Sequence, residues 1–194
     1  MLKLVLVGDQ KVGKLSLNLR YSLNAEPGSN ACDYPLDYYS RNITIGQKDI
    51  EIQTWHYNHE VSRYIQQAFI YRKAQGIIIC YAIDDRQSFN NVQKWIDQIK
   101  QYSREDIELI LIGTKCDQED QRQVSYKEGK QLADQLGILF FETSSQKDIN
   151  VKEAFNVIIN NIINNKDLQK EILNSSHQSL SSKTSTQSQF CYSS

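Results

Sequence analysis

The chain has 194 residues, of which 40% are hydrophobic and 23% are charged, as is ordinary for a globular protein. Its 22 basic and 23 acidic residues leave a net charge of −1, which argues against nucleic acid as a partner. The four cysteines form no C-x-x-C pair, and no apolar run approaches the roughly 20 residues of a membrane-spanning helix. We therefore expect a single globular domain in a reducing, cytoplasmic setting.

The first part of the chain predicts a strand, a glycine loop and a helix. Apolar residues from Met1 to Val7 predict a buried strand, and Gly13 to Leu23 has the apolar spacing of a helix. Between them, Gly8 and the Gly13-Lys14 pair are spaced as in a loop that binds phosphate through backbone N–H groups and a lysine. Leu15 stands where such a loop needs Ser or Thr for Mg²⁺, so a plain glycine turn is an equal alternative at this point.

The middle of the chain alternates between predicted strands and helices. Residues 37–55 predict a β-hairpin with its turn at residues 46–48. Three further strand–helix pairs are predicted, with N-caps at Ser88, Ser125 and Asn150: residues 76–83 and 88–102, 107–113 and 125–137, and 138–142 and 150–165. This order predicts an α/β fold, with a mostly parallel six-stranded sheet, one antiparallel edge strand and helices on both faces.

The end of the chain has a different composition. From Asn174 onward it is rich in Ser, Thr and Gln and almost free of core-forming residues, which predicts disorder. We therefore expect a globular domain over residues 1–166 and a disordered tail over residues 167–194.

Two later loops give the glycine loop a more specific meaning. The stretch "LILIGTKCD" ends a predicted strand with Thr114, Lys115 and Asp117, and a carboxylate there can accept two N–H bonds that guanine offers and adenine does not. The stretch "FFETSSQ" ends another strand with Ser144 and Ser145, whose backbone amides can donate to the guanine O6. Three such loops at the carboxyl ends of strands in one parallel sheet predict a nucleotide site.

With these loops the chain resembles the small GTPases, and within them the Rab family, over about residues 1–165. The stretches "QSFNNVQKWIDQI", "ELILIGTKCD" and "LADQLGILFFETSS" are similar to Rab sequence almost word for word. The resemblance implies the small G-protein fold of the P-loop NTPases, a switch that binds GTP or GDP, and vesicle traffic with Rab-type effectors and regulators. It implies that nucleotide is bound by Gly8, Lys11, Val12, Gly13, Lys14, Leu15, Ser16, Thr114, Lys115, Asp117, Ser144, Ser145 and Gln146.

The departures from the Rab pattern fall where the family binds Mg²⁺ and the γ-phosphate. Leu15 replaces the Ser or Thr after the loop lysine, and Asp33 replaces the Thr of the first switch loop. In the second switch "WHYNHEV" replaces "WDTAGQE", so that His56, His59 and Glu60 stand for the Asp, the Gly and the catalytic Gln. Leucine has no lone pair, imidazole suits a hard cation poorly, and ionised Glu cannot donate a hydrogen bond. We expect weak nucleotide binding with little Mg²⁺ dependence, very slow hydrolysis and no assigned catalytic residue.

The remaining positions leave alternatives open. The pocket for the base is less altered, with Thr114 for the usual Asn and Gln146 for the usual Lys. Lys11 is interpreted as a solvated side chain in preference to a charge that offsets phosphate. His56 and His59 are interpreted as exposed loop residues in preference to a metal site.

The resemblance also bears on partners and membranes. Tyr38 and Trp55 match two aromatic residues that meet Rab effectors, with Ile70 at the third position, although hairpin aromatics also serve simple packing. Cys191 in the terminal "CYSS" stands where a prenylated cysteine would, which predicts peripheral attachment to endomembranes.

Three other functions remain as alternatives. The chain could be a nucleotide-free pseudo-GTPase that serves as an interaction scaffold, or an active GTPase completed by residues of a partner. An ATP-dependent P-loop enzyme is disfavoured because Asp117 indicates guanine.

Overall fold

A six-stranded sheet organises the protein, whose computed structural model describes residues 1–28, 36–45, 48–57 and 69–165. The strands are Leu2–Val7 (β1), Leu36–Ile45 (β2), Lys48–Tyr57 (β3), Gly76–Ala82 (β4), Glu108–Thr114 (β5) and Leu139–Thr143 (β6). Their spatial order is β2-β3-β1-β4-β5-β6, with β2 antiparallel to β3 and all other neighbours parallel. The predicted hairpin and the mostly parallel sheet with one antiparallel edge strand are confirmed.

Five α-helices lie wholly within the described residues, and residues 69–72 are also helical. The five are Lys14–Leu23 (α1), Arg86–Asn90 (α2), Val92–Tyr102 (α3), Tyr126–Leu136 (α4) and Val151–Asn164 (α5). Ser125 begins α4 with a capping box, in which its hydroxyl accepts from the Glu128 N–H and the Glu128 side chain accepts from its own N–H. None of the described helices is both long and apolar enough to cross a bilayer.

The prediction for the helix after β4 was wrong in two respects. The cap is Asp85, whose carboxylate accepts from the N–H groups of Gln87 and Ser88 at 3.0 and 3.2 Å. The Ser88 hydroxyl lies inside the helix, where it accepts from the Ala82 N–H at 3.0 Å and ties the helix to the end of β4. The helix is also divided at Asn91, into α2 and α3.

Hydrophobic side chains fill both faces of the sheet. Because side chains alternate along a strand, Leu4 and Leu6 of β1 face one core while Val5 and Val7 face the other. One core is closed by α1 and α5 and the second by α3 and α4. The domain boundary predicted at residue 166 and the tail beyond it lie outside the described residues.

The strand order creates a crevice at one edge of the sheet. The chain proceeds from β1 to β2 and β3 on one side and to β4, β5 and β6 on the other, so that the direction of winding reverses beside β1. Ligands of open parallel sheets bind at such a point, outside the carboxyl ends of the strands. The loops that follow β1, β5 and β6 all open there.

Candidate nucleotide site

The loop after β1 follows a path that only glycine permits at its first position. Gly8 has φ 140°, and a Cβ there would lie 2.2 Å from the carbonyl oxygen of Cys80 in β4. Gly13 has φ 91° and forms the N-cap of α1. Lys11 also has a left-handed backbone, with φ 60°, and its side chain is exposed. The chain therefore lies close against β4 at this point.

The Lys14 ammonium lies at the centre of this loop. It donates to the carbonyl oxygens of Gly8 at 2.9 Å and Asp9 at 2.5 Å. The side chain is buried, and loss of hydration lowers the pKa of Lys14. In the described part of the chain, the backbone N–H groups of residues 11–16 donate no hydrogen bond. A buried cation beside several free N–H groups at a helix N-terminus is suited to an anion.

The two residues after Lys14 belong to the start of helix α1. Leu15 and Ser16 both lie half-buried in the first turn of α1. Leu15 presents an aliphatic side chain where a hydroxyl would be required. Among the described residues, no group of three or more His, Cys, Asp or Glu side chains is arranged to hold a metal ion.

Asp9 has a role that the sequence analysis missed. Its carboxylate accepts from the amide of Asn91 at 2.5 Å and from the indole N–H of Trp95 at 2.9 Å. These bonds fix the phosphate loop to the start of α3, across more than 80 residues of sequence. An acidic residue directly after the first loop glycine was the only local signal.

Thr114 and Val12 connect the phosphate loop to the end of β5. The Thr114 hydroxyl donates to the carbonyl oxygen of Val12 and lies 3.0 Å from that of Tyr81. Both Thr114 and Val12 are buried. Thr114 therefore holds the site together from beneath, and its hydroxyl is already engaged by protein.

Lys115 and Asp117 follow Thr114 at the mouth of the crevice. Lys115 has φ 62°, and its ammonium lies 3.0 and 3.1 Å from the two carboxylate oxygens of Asp84. Asp117 is half-buried, and its carboxylate has no hydrogen-bond partner in the described part of the chain. A half-buried acceptor without a donor is suited to the N–H groups of a ligand.

The loop after β6 completes the pocket. Ser144 is buried; its hydroxyl accepts from the Lys147 N–H at 3.0 Å, and its backbone pairs with Ile149. The carbonyl oxygen of Ser145 accepts from the buried Arg20 of α1 at 2.7 Å. Gln146 is exposed, and neither its backbone N–H nor that of Ser145 donates to a described residue.

Arg122 connects the loop after β5 to strand β6, and sequence reasoning missed this residue. Its guanidinium binds the Glu142 carboxylate of β6 at 2.7 and 2.8 Å and also binds Glu119. These carboxylates raise the pKa of Arg122. The pair with Glu142 holds the loop that carries Asp117 against the strand that leads to Ser144.

His56 is placed differently from the prediction of an exposed loop residue, which was wrong. It lies in β3, pairs in register with Leu6 of β1 and is buried. Because β3 extends to Tyr57 and side chains alternate along a strand, Thr54 and His56 lie on the same face of the sheet, towards α1. The amide nitrogen of Asn18 in α1 lies 3.1 Å from the Thr54 carbonyl oxygen and 3.4 Å from His56 Nδ1. Thr54 and Ser22 both bond the Asn18 amide oxygen. His56 is thus part of a buried polar network.

The aromatic pair of the hairpin lies on neighbouring strands. Tyr38 of β2 and Trp55 of β3 are register partners whose rings stack 4.6 Å apart, and Tyr38 is half exposed. The Lys3 ammonium lies 3.8 Å from the Trp55 ring centre. Ile70, at the third position of the predicted effector surface, is buried.

Four of the predicted residues lie outside the described residues, and their predicted roles are untested. They are Asp33, His59, Glu60 and Cys191.

The fold and these loops define the class of P-loop nucleotide-binding proteins with a small G-protein sheet. The Ras family pattern matches residues 3–164. The chain is 40% identical over 176 residues to "GTP-binding protein ypt2" of Schizosaccharomyces pombe, an alignment that covers 90% of this chain and 88% of that protein. It is 40% identical to "Ras-related protein Rab-3" of Caenorhabditis elegans, covering 82% and 73%, and 39% identical to human "Ras-related protein Rab-3A", covering 82% and 72%. The chain belongs to the Ras family of small GTPases, in its Rab branch.

Proposed function

We propose that this Rab-family chain is a guanine-nucleotide-binding protein of vesicle and membrane traffic whose binding energy comes from the base and the phosphate loop rather than from Mg²⁺. It binds GTP and GDP weakly and hydrolyses GTP very slowly. The observation that carries the proposal is Asp117, a half-buried carboxylate at the carboxyl end of β5 that no described residue satisfies. Guanine offers two adjacent N–H donors to such an acceptor.

The phosphate loop supports the same ligand. Lys14 holds a positive charge among backbone groups, and the free N–H groups of residues 11–16 surround it. In our proposal Gly8, Val12 and Gly13 shape this loop, and the diphosphate lies against it. Bound GTP would supply a γ-phosphate, whose presence or absence distinguishes the two states of a switch.

The metal side supports weak binding and slow hydrolysis. Leu15 offers no oxygen, and His56 is already engaged with Asn18 beneath the sheet edge. An imidazole in that network also presents nitrogen, where Mg²⁺ prefers oxygen. Asp33 and Glu60 enter the proposal by their sequence positions alone.

Partner and membrane contacts are the further parts of the proposal. The stacked and half-exposed Tyr38, with Trp55 beside it, is suited to an apolar partner surface, as in Rab effectors. We also propose residues 1–166 as the G domain and residues 167–194 as a tail, with Cys191 prenylated and the protein peripheral on endomembranes. Mass spectrometry of the native C-terminus tests the modification, and an unmodified Cys191 in the membrane-bound fraction would exclude it.

One observation favours a second candidate, a nucleotide-free interaction module. The Lys14 ammonium already donates to the backbone carbonyl oxygens of Gly8 and Asp9, so it has partners when no anion is bound. A loop of this kind remains compact when it holds no phosphate.

The identity of the bound nucleotide separates the two candidates. The purified protein is denatured, and the released small molecules are separated by ion-exchange chromatography and weighed by mass spectrometry. GDP or GTP at near-stoichiometric amounts supports the first function. An empty pocket that also fails to bind added fluorescent GDP at micromolar concentration would exclude it in favour of the scaffold.

A further inference from the structure

Asp84 forms an ion pair with Lys115 inside the candidate site. Its two carboxylate oxygens lie 3.1 and 3.0 Å from the Lys115 ammonium. The side chains are 16% and 30% exposed, so water screens this pair less than it screens an ordinary surface pair. Sequence spacing could not find the pair, because 31 residues separate the two positions.

The sheet explains why the two residues meet. Ala82 and Thr114 are register partners at the ends of the parallel strands β4 and β5. The Ile83 N–H continues that ladder by donating to the Thr114 carbonyl oxygen at 3.1 Å. The next residues along each strand, Asp84 and Lys115, therefore emerge side by side at the carboxyl edge.

Lys115 is also held in an unfavourable backbone conformation. Its φ of 62° is uncommon for a residue with a side chain, and such strain persists only where the surroundings fix it. The Cys116 N–H donates to the Thr143 carbonyl oxygen at 3.1 Å, and the Gln118 N–H donates to the Lys115 carbonyl oxygen at 2.9 Å. The backbone is thus fixed by hydrogen bonds, whereas the flexible lysine side chain is fixed at its end by Asp84.

We propose that Asp84 is a positioning residue for nucleotide binding: it holds the Lys115 ammonium so that the lysine stem forms a fixed wall beside Asp117, and it thereby slows nucleotide release. The inference rests on the proposed function. The pair also neutralises the lysine charge. Asp84 therefore affects how firmly the wall of the pocket is held, whereas the choice of base depends on Asp117.

The test measures the release of fluorescent GDP from the full-length protein by stopped flow. The variants are Asp84→Ala, Asp84→Glu, Lys115→Met and the double variant Asp84→Ala/Lys115→Met. Asp106→Ala is the control, because Asp106 also forms an ion pair, with Arg104, but is more exposed and lies before β5, at the opposite end of that strand. The preference for GDP over ADP and the thermal midpoint without nucleotide are measured for each.

We expect Asp84→Ala to accelerate release about tenfold and Asp84→Glu to restore it to within about threefold. The double variant should release GDP as fast as Lys115→Met alone, because the two residues act through one contact. The GDP preference should not change in Asp84→Ala, and its thermal midpoint should stay well above the temperature at which release is measured.

Two results would overturn the inference alone. One is GDP release from Asp84→Ala at the unmodified rate, and the other is a double variant in which the two single effects multiply. If the unmodified protein binds no guanine nucleotide at all, the proposed function fails together with this inference.

Discussion

The candidate site has two ends that are held by different bonds. The base end comprises the loops after β5 and β6, and the metal end comprises the loop after β1, the first turn of α1 and His56. At the base end, side chains from the loops after β4 and β5 and from helix α1 hold the structure together: Asp84 holds Lys115, Arg122 holds Glu142 of β6, and Arg20 holds Ser145. At the metal end, Lys14 bonds only to its own loop, which Asp9 in turn fixes to Asn91 and Trp95. There His56 bonds inward to α1.

This difference is the basis for the proposed division between nucleotide binding at the base end and hydrolysis at the metal end. Charge-assisted bonds at the base end fix the loops that carry Asp117 and Ser145. The metal end keeps the backbone path of a phosphate loop, while Leu15 and His56 occupy its metal positions with groups that do not suit Mg²⁺. In our proposal, the part of the site that binds the nucleotide is retained and the part that supports hydrolysis is lost.

The largest expected effect comes from Arg122→Met, which breaks the base end. The side chains of Arg122 and Glu142 are 17% and 10% exposed, so removing the guanidinium leaves a buried carboxylate unpaired. We expect the free energy of unfolding to fall by about 3 kcal/mol, measured by urea denaturation. The double variant Arg122→Met/Glu142→Gln should recover part of this loss.

Lys130→Met provides the control for that measurement. Lys130 pairs with Asp134 on α4, but both side chains are at least half exposed. A pair of this kind contributes little, and we expect a change of less than about 0.5 kcal/mol. Equal losses in the two variants would show that Arg122 does not hold the base-side loops.

Asp117→Ala is expected to have the next largest effect, on binding rather than folding. It removes the acceptor assigned to guanine and should weaken GDP binding by roughly 2–3 kcal/mol, while ADP binding hardly changes. Isothermal titration measures both. Asp120→Ala, an exposed residue of the same loop, should behave like the unmodified protein. Equal GDP affinity in Asp117→Ala would refute the assigned base pocket.

Thr114→Val tests the connection between the two ends. The hydroxyl that bonds the Val12 carbonyl is lost with little change of shape, and we expect the free energy of unfolding to fall by about 1 kcal/mol. Thr143→Val is the matched control, because Thr143 is the register partner of Thr114 and its buried hydroxyl has no partner among the described residues. That variant should be neutral or slightly stabilised.

The fold was largely predictable because it depends on local periodicity and on short turns. Alternating residues marked the hairpin, and the apolar run from Leu2 to Val7 marked β1. Ser88 was misassigned as a cap because Asp85, three residues earlier, can cap equally well and only packing against β4 decides between them. His56 was misassigned because sequence could not show that β3 continues to Tyr57.

The site was predictable only where its residues are consecutive. The loops after β1, β5 and β6 carry short motifs with a known chemical purpose, and these were found. Asp9, Arg122 and Asp84 act through partners 20 to 86 residues away, at positions that only the tertiary fold brings together. A carboxylate after a strand has many common explanations, so its partner could not be inferred from one sequence.

The smallest expected effect is that of removing Mg²⁺, and it tests the difference between the base end and the metal end directly. Where a metal joins protein to phosphate, its removal speeds nucleotide release severalfold or more. Here Leu15 supplies no ligand, and His56 is held by Asn18. We expect EDTA to change the release rate of fluorescent GDP by less than about twofold, a change of less than about 0.4 kcal/mol.

Hydrolysis should follow the same division between the two ends. We expect single-turnover GTP hydrolysis no faster than about 10⁻⁴ s⁻¹, with or without Mg²⁺. Leu15→Ser alone should leave this rate unchanged, because His56 and Glu60 would still differ from the family pattern. The triple variant Leu15→Ser/His56→Asp/Glu60→Gln should gain both sensitivity to EDTA and measurable turnover. Rapid Mg²⁺-dependent turnover by the unmodified protein without any partner would mean that the metal end is intact and that its ligands come from residues other than these.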